Sequence, residues 1–291
     1  MEWRIIGAVQ DLAGEDDTIT THRPRALVTG ASSGIGAEYA RQLAQRGYDL
    51  VLVARREDRL RALAGELTTT YGSTAEVIVA DLVQEADVAR VVAHIEADEQ
   101  LILLVNNAGV GALGRFAEAD LPRLLDMMTL HLQTTVRLTR AALPGLIARG
   151  TGAVIMVSSL NSLMPLPYTA VYAATKAFLN HFVEVLSLEL AGTGVAVQSV
   201  CPNLTRTEIV DTPEFQASGF AAANTPGWMW MGADQVVAES LDRLGKGRAV
   251  MVPGWSNRVG VALAGLRHLP GLHQAARRLT VALTGRLLRE P

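Results

Sequence analysis

Short apolar runs alternate with longer stretches of helical periodicity along most of the chain. The runs fall at Arg25–Thr29 (RALVT), Asp49–Ala54 (DLVLVA), residues 76–80 (EVIVA), 101–105 (LILLV), 153–157 (AVIMV) and Val195–Val200 (VAVQSV), with a last candidate at 249–252. Each is continuously apolar rather than alternating, the pattern of a strand buried on both faces. Residues 37–46 form a predicted helix stopped by Gly47, and a charged helix follows the second strand through Leu67. Such strands interleaved with helices predict parallel βαβ units in an α/β fold, a doubly wound, Rossmann-like sheet. No Pro- or Gly-rich linker interrupts the middle of the sequence. Residues 25–253 are therefore read as one domain, with an N-terminal extension at 1–24 and a helical C-terminal extension at 254–291.

Composition supports this picture. The 291 residues are 49% hydrophobic but only 5% aromatic, which suits a sheet beneath close-packed helices. Cys201 is the one cysteine, so no intrachain disulfide forms and a reducing compartment is permitted. No basic segment followed by a long apolar run opens the chain, and no apolar stretch reaches the roughly 20 residues of a membrane span. A cytoplasmic protein is the expectation. The net charge of −3 conceals a basic tail: residues 244–291 carry eight Lys and Arg against Glu290 alone.

The first strand runs into Thr29-Gly30-Ala31-Ser32-Ser33-Gly34-Ile35-Gly36 and then a helix. Glycines there allow a tight turn and close approach of the backbone to a diphosphate, while the helix N-terminus supplies free N–H groups. Gly30, Ser32, Ser33, Gly34, Ile35 and Gly36 are thus candidate cofactor contacts.

From this point the sequence resembles the short-chain dehydrogenase/reductase family, whose compact members open with Thr-Gly-x-x-x-Gly-x-Gly. Further motifs follow in the family's order: Asp81-Leu82, Asn106-Asn107-Ala108-Gly109, Ser158-Ser159, Tyr172-Ala173-Ala174-Thr175-Lys176, and Cys201-Pro202 through Thr207. The resemblance covers about residues 25–252. It implies a nicotinamide-dependent oxidoreductase acting on a carbonyl or alcohol. It also implies adenine contacts at Asp81 and Leu82, a cofactor contact at Asn107, and nicotinamide carboxamide contacts at Pro202, Thr205 and Thr207.

The second strand ends Ala54-Arg55-Arg56, with no carboxylate to hydrogen-bond the ribose hydroxyls. Guanidiniums pair with phosphate through a planar fork of donors. NADP(H) is the expected cofactor, with Arg55 as main contact to the 2′-phosphate and Arg56 beside it. The other reading is a solvated charge run, because Glu57, Asp58, Arg59 and Arg61 continue it.

Tyr172 and Lys176, four apart on a predicted helix, project from the same face. A phenol titrating near 10 is a poor proton shuttle at neutral pH, and a neighbouring ammonium stabilises its phenolate. Tyr172 is the candidate acid and base, and Lys176 its partner. The resemblance adds Ser159 as the group that orients the substrate oxygen, and gives Lys176 and Tyr172 contacts to the cofactor. It also exposes a departure. Where the family usually places an Asn that holds a water linking the Lys to solvent, this chain has His131. Either a modified proton relay passes through the imidazole, or the enzyme is weakened and acts chiefly as a nucleotide-sensing binding protein. Asn203 stands where a Gly commonly follows the Pro, and Asn tolerates the left-handed backbone that Gly would adopt. Cys201 is read as a strand-end packing residue.

The substrate walls are expected from residues 110–116, 160–168 and Trp228-Met229-Trp230-Met231, which are apolar and favour a hydrophobic carbonyl or alcohol. Residues 259–269 and 273–288 read as basic amphipathic helices. A fold-back onto the enzyme or a dimer contact is preferred to peripheral membrane binding. The family resemblance implies a homodimer or homotetramer paired through the helices bearing His131 and Tyr172. No nucleic-acid partner and no metal site are expected.

Overall fold

The computed structural model describes residues 23–111, 114–164, 166–208, 227 and 230–265. The chain alternates strand and helix: β1 (Arg25–Thr29), α1 (Gly34–Gln45), β2 (Asp49–Ala54), α2 (Glu57–Tyr71), β3 (Ala75–Val79), α3 (Glu85–Ala97) and β4 (Leu101–Asn106). There follow α4 (Leu121–Met128), a π-helical turn (Thr129–Thr134), α5 (Thr135–Arg149), β5 (Gly152–Val157), α6 (Ala170–Glu189) and β6 (Val195–Val200). The described remainder holds β7 (Thr205–Arg206), β8 (Met231–Gly232), α7 (Ala233–Arg243), β9 (Val250–Met251) and α8 (Trp255–Gly265).

Seven strands form one parallel sheet in the order β3-β2-β1-β4-β5-β6-β9. Both faces are covered, which explains the unbroken apolar runs. In β2, Leu50 and Leu52 pack on one side with α1, α2 and α7, while Val51 and Val53 face α3, α5 and α6 on the other. Alternation exists in the structure, but it sorts residues between two cores rather than between core and water. Each fully buried Leu or Val contributes about 2 kcal/mol by leaving water.

The order reverses at β1, whose neighbours β2 and β4 lead away in opposite directions. The loops leaving β1 and β4 therefore diverge, opening a crevice at the carboxyl ends. The expected doubly wound sheet is thus the fold. Strand limits shift by a residue or so, and the short pair β7–β8 has no counterpart in the sequence pattern.

The C-terminal helix begins earlier than its apolar periodicity implied, at Trp255 rather than near 259. Its first turns are tied to the domain: Asn257 is buried and donates to the Pro253 carbonyl at 2.8 Å, and Arg258 pairs with Glu239. Trp255, Val259 and Leu263 lie exposed. The second expected tail helix and the N-terminal extension lie outside the described residues.

Candidate active site

The glycine loop is held from behind by β4. Thr29 Oγ1 accepts the N–H groups of Asn107 (2.9 Å) and Ala108 (3.0 Å) and donates to the Val105 carbonyl. Asn107 Nδ2 donates to the carbonyls of Thr29 (2.9 Å) and Gly30 (3.2 Å). Asn107, expected at the cofactor, is therefore a brace for the loop. Gly30 has φ +65, and a Cβ on Gly36 would stand 2.3 Å from the Gly30 oxygen. Only glycine permits that approach. Ser33, the N-cap of α1, makes no side-chain cap, and no acid occupies the first turn. Exposed N–H groups and an unopposed dipole fit a dinucleotide diphosphate.

At the end of β2 the two guanidiniums differ in their contacts. Arg55 is exposed, with no side-chain hydrogen bond or ion pair among the described residues. Arg56 instead reaches the loop: Nε and Nη2 donate to Ser32 Oγ at 3.1 and 3.0 Å, and Nη2 to Ser33 Oγ at 2.6 Å. Arg59, assigned above to the solvated run, joins it on the carboxylate of Glu208. Arg56 thus touches the loop directly, and Arg59 meets it through Glu208. Asp81 turns its carboxylate to the Val83 N–H at 3.2 Å, and the Leu82 carbonyl is fixed by Thr134 Oγ1 at 2.7 Å.

The second half of the crevice is built by the end of β5 against α6. Lys176 is buried, and its Nζ donates to the Val157 carbonyl at 2.8 Å. Ser158 Oγ donates to the Lys176 carbonyl at 2.9 Å, so this residue is gripped at both ends. Burial lowers the ammonium to about 8. Tyr172 is half-buried; desolvation raises its phenol, opposed by a hydrogen bond with Ser159. The Lys176 ammonium lies 5.8 Å from the Tyr172 ring centre. Ser159 and Lys176 both come up to Tyr172.

His131 is brought there too, with both ring nitrogens engaged. The ring sits in the π-helical turn, buried and edge-on to Tyr172 with centroids 6.0 Å apart. Thr175 Oγ1 spends its one proton on the Tyr172 carbonyl at 2.8 Å, so it must accept from His131 Nδ1 at 2.9 Å. Nε2 then carries the lone pair that accepts the Val110 N–H at 3.1 Å. Both nitrogens are engaged, the tautomer is determined, and burial, reinforced by the Lys176 charge, pushes the group down to about 2.

Asn180, one turn beyond Lys176, was missed in the sequence. It is buried and accepts from Ser199 Oγ (2.6 Å) and Cys201 Sγ (3.3 Å), and it donates to Ser162 Oγ (2.7 Å). Ser162 in turn donates to the Ser159 carbonyl. A polar residue on the buried face of an apolar helix, four places from Lys176, was the available signal. Cys201 is fully buried, as its packing role requires, and burial raises its thiol.

Pro202 is buried, with its carbonyl accepting the Leu160 N–H at 2.8 Å. Asn203 does not adopt the left-handed backbone anticipated for it. Tyr168 is the one non-glycine with positive φ among the described residues, and Asn203 instead donates to Asn257 Oδ1 at 2.9 Å. Thr205 donates to the Asn203 carbonyl at 3.0 Å, and the Thr207 side chain lies against Gly34.

Two of the expected substrate walls do meet: the Gly114 N–H donates to the Tyr168 carbonyl at 3.0 Å, joining the loop after β4 to the one after β5. Phe116, Leu166 and Tyr168 are exposed along it. The third wall is different. Trp230 lines a charged cleft of about 520 Å³ with Gly34, Arg41, Arg206 and Glu208, none of the three candidate catalytic residues lines it, and Met231 packs on the core. Trp228 and Met229 lie outside the described residues.

The model of the short chain dehydrogenase family matches residues 24–216. The very-long-chain 3-oxoacyl-CoA reductase of Anas platyrhynchos is 36% identical over 197 residues, covering 65% of this chain and 63% of that protein. The inactive hydroxysteroid dehydrogenase-like protein 1 of Homo sapiens is 31% identical over 206 residues, 70% of this chain and 62% of that one. The chain thus spans less than two thirds of these curated relatives. A short-chain dehydrogenase from Sphingobium yanoikuyae, solved in complex with NADPH, is 37% identical with a TM-score of 0.74, covering 84% of this chain and 93% of that one.

Proposed function

This chain belongs to the short chain dehydrogenase family, and we propose that it is an NADP(H)-dependent oxidoreductase of an apolar carbonyl or alcohol. The observation that carries this reading is the convergence of Ser159, Tyr172 and Lys176 beside a glycine loop that a dinucleotide diphosphate fits. The nicotinamide, when bound, supplies or accepts the hydride. Tyr172 gives its phenolic proton to the carbonyl oxygen in reduction and takes it back in oxidation. Ser159 holds the same oxygen by hydrogen bond. Lys176 lends positive charge to the developing phenolate and is held in place by Val157 and Ser158. Gly30, Ser32, Ser33, Gly34, Ile35 and Gly36 carry the diphosphate, and Arg55, Arg56 and Arg59 take the 2′-phosphate.

The exposed rim at Phe116, Leu166 and Tyr168 supports a hydrophobic substrate. Exposed Leu121, Leu125 and Met128 on α4, with Phe178, Val185 and Leu188 on α6, support pairing of two copies. No helix among the described residues is long and apolar enough to cross a membrane.

A second reading, a nucleotide-binding protein of low turnover, draws on His131 sealing the place of the usual relay and on the inactive human relative. Both are tested by following NADPH and NADH oxidation with a panel of apolar ketones and aldehydes. Turnover with NADPH is expected, falling about a thousandfold in Tyr172→Phe. A clear preference for NADH removes the phosphate assignment. A parent without turnover, beside an active His131→Asn variant, establishes the second reading.

A further inference from the structure

Arg56, which reaches the glycine loop, and Arg59 beside it already hold an anion, and it comes from the chain itself. Glu208 accepts from Arg56 Nη1 at 3.0 Å and from Arg59 Nη1, to which its nearer oxygen is closer still. Arg56 simultaneously spans Ser32 and Ser33 through its other nitrogens. The paired guanidiniums hold the Glu208 carboxyl below its usual range. One residue earlier, Thr207 packs on Gly34 so closely that a Cβ there would lie 3.0 Å from the Thr207 methyl. The end of this segment therefore lies across the start of α1, with its carboxylate between Arg56 and Arg59.

We propose that Glu208 is a built-in competitor for the cofactor's 2′-phosphate, and so sets the affinity and the selectivity of the site. This rests on the assignment of Arg56 and Arg59 to that phosphate. A carboxylate and a phosphate both pair with the planar face of a guanidinium, and two anions sharing the same donors repel. A 2′-phosphate must displace Glu208, whereas a ribose with a free 2′-hydroxyl brings no charge to contest it. Glu208 is half exposed and its partners nearly as much, so the contact is weak enough to exchange. A buried pair would block the site; an exposed one tunes it.

The test is calorimetric binding of adenosine 2′,5′-bisphosphate and of 5′-AMP to the full chain and its variants, without substrate or turnover. Glu208→Gln is expected to tighten the bisphosphate about threefold to thirtyfold, the range of one or two surface ion pairs, and to leave 5′-AMP unchanged. Unaltered or weakened bisphosphate binding overturns the proposal, as does an equal gain for both ligands, which would place the effect on the glycine loop alone. Arg56→Ala separates the two layers. If it weakens the bisphosphate selectively while Glu208→Gln has no effect, the phosphate site stands and only the competitor falls. If it leaves the bisphosphate unchanged, the phosphate site is elsewhere and both fall.

Discussion

His131 and Thr175 are joined at 2.9 Å between ring Nδ1 and hydroxyl oxygen, and that contact ties the π-helical turn to the helix bearing Tyr172 and Lys176. Through Nε2 the same ring holds Val110, in the loop that follows β4. One neutral side chain therefore spans the loop after β4 and the helix bearing Tyr172 and Lys176. A π-turn widens the backbone spacing at that point, a feature common at functional sites.

Replacing His131 tests this directly. His131→Asn cannot reach both partners, and leaving one buried group unpaired is expected to cost about 2 kcal/mol at pH 7. The difference depends on pH in a determined direction. The unfolded chain protonates this histidine near 6.5, while the folded chain keeps it neutral down to about 2, so the parent loses stability as pH falls below 6.5. Relative to the Asn variant the loss is about 1.4 kcal/mol per pH unit. Denaturant unfolding at pH 7 and pH 5 measures it; an equal gap at both would show that the folded ring accepts a proton.

Lys176 gives a signature of the same sign in the alkaline range. Its folded value of about 8 lies below the usual 10.5, so between those values the unfolded chain holds more protons and stability rises with pH. Compared with Lys176→Met, the parent is expected to gain about 3 kcal/mol across that window. A constant difference between the two proteins would mean that the ammonium is not desolvated.

Gly36→Ala addresses the loop. The new Cβ would press on the Gly30 oxygen and, at 2.4 Å, on Asn107 Nδ2, neither of which can yield without parting the loop from β4. A stability loss of about 1–3 kcal/mol and at least about tenfold weaker NADPH binding are expected, read by thermal unfolding and fluorescence titration. Unchanged binding would place the diphosphate elsewhere.

Asn180→Ala removes the support under Ser159 without touching it. Ser162 and Ser199 lose a buried partner, for a cost of about 2 kcal/mol. Because Ser162 holds the Ser159 carbonyl, kcat is expected to fall while the affinity for NADPH stays the same. A fall in both together would mean a general loosening of the fold.

Much of this was legible in the residues alone. Continuous apolar strands could only be buried on both faces, which determined the parallel sheet, and the glycine spacing located the loop between β1 and α1. Tyr172 and Lys176 share a helix, so a four-residue interval was enough to put them on one face. These are local relations, written in short-range sequence periods. Arg56 and Arg59, Asn107, His131, Asn180 and Glu208 obtained their parts differently. Which of two adjacent arginines faces the loop depends on how α2 starts, and Glu208 reaches them from 152 and 149 residues away. His131 is neutral because it is buried and because Thr175 and Val110 occupy its two nitrogens. No period in the sequence encodes that, since burial and hydrogen-bond partners exist only after the chain has closed on itself.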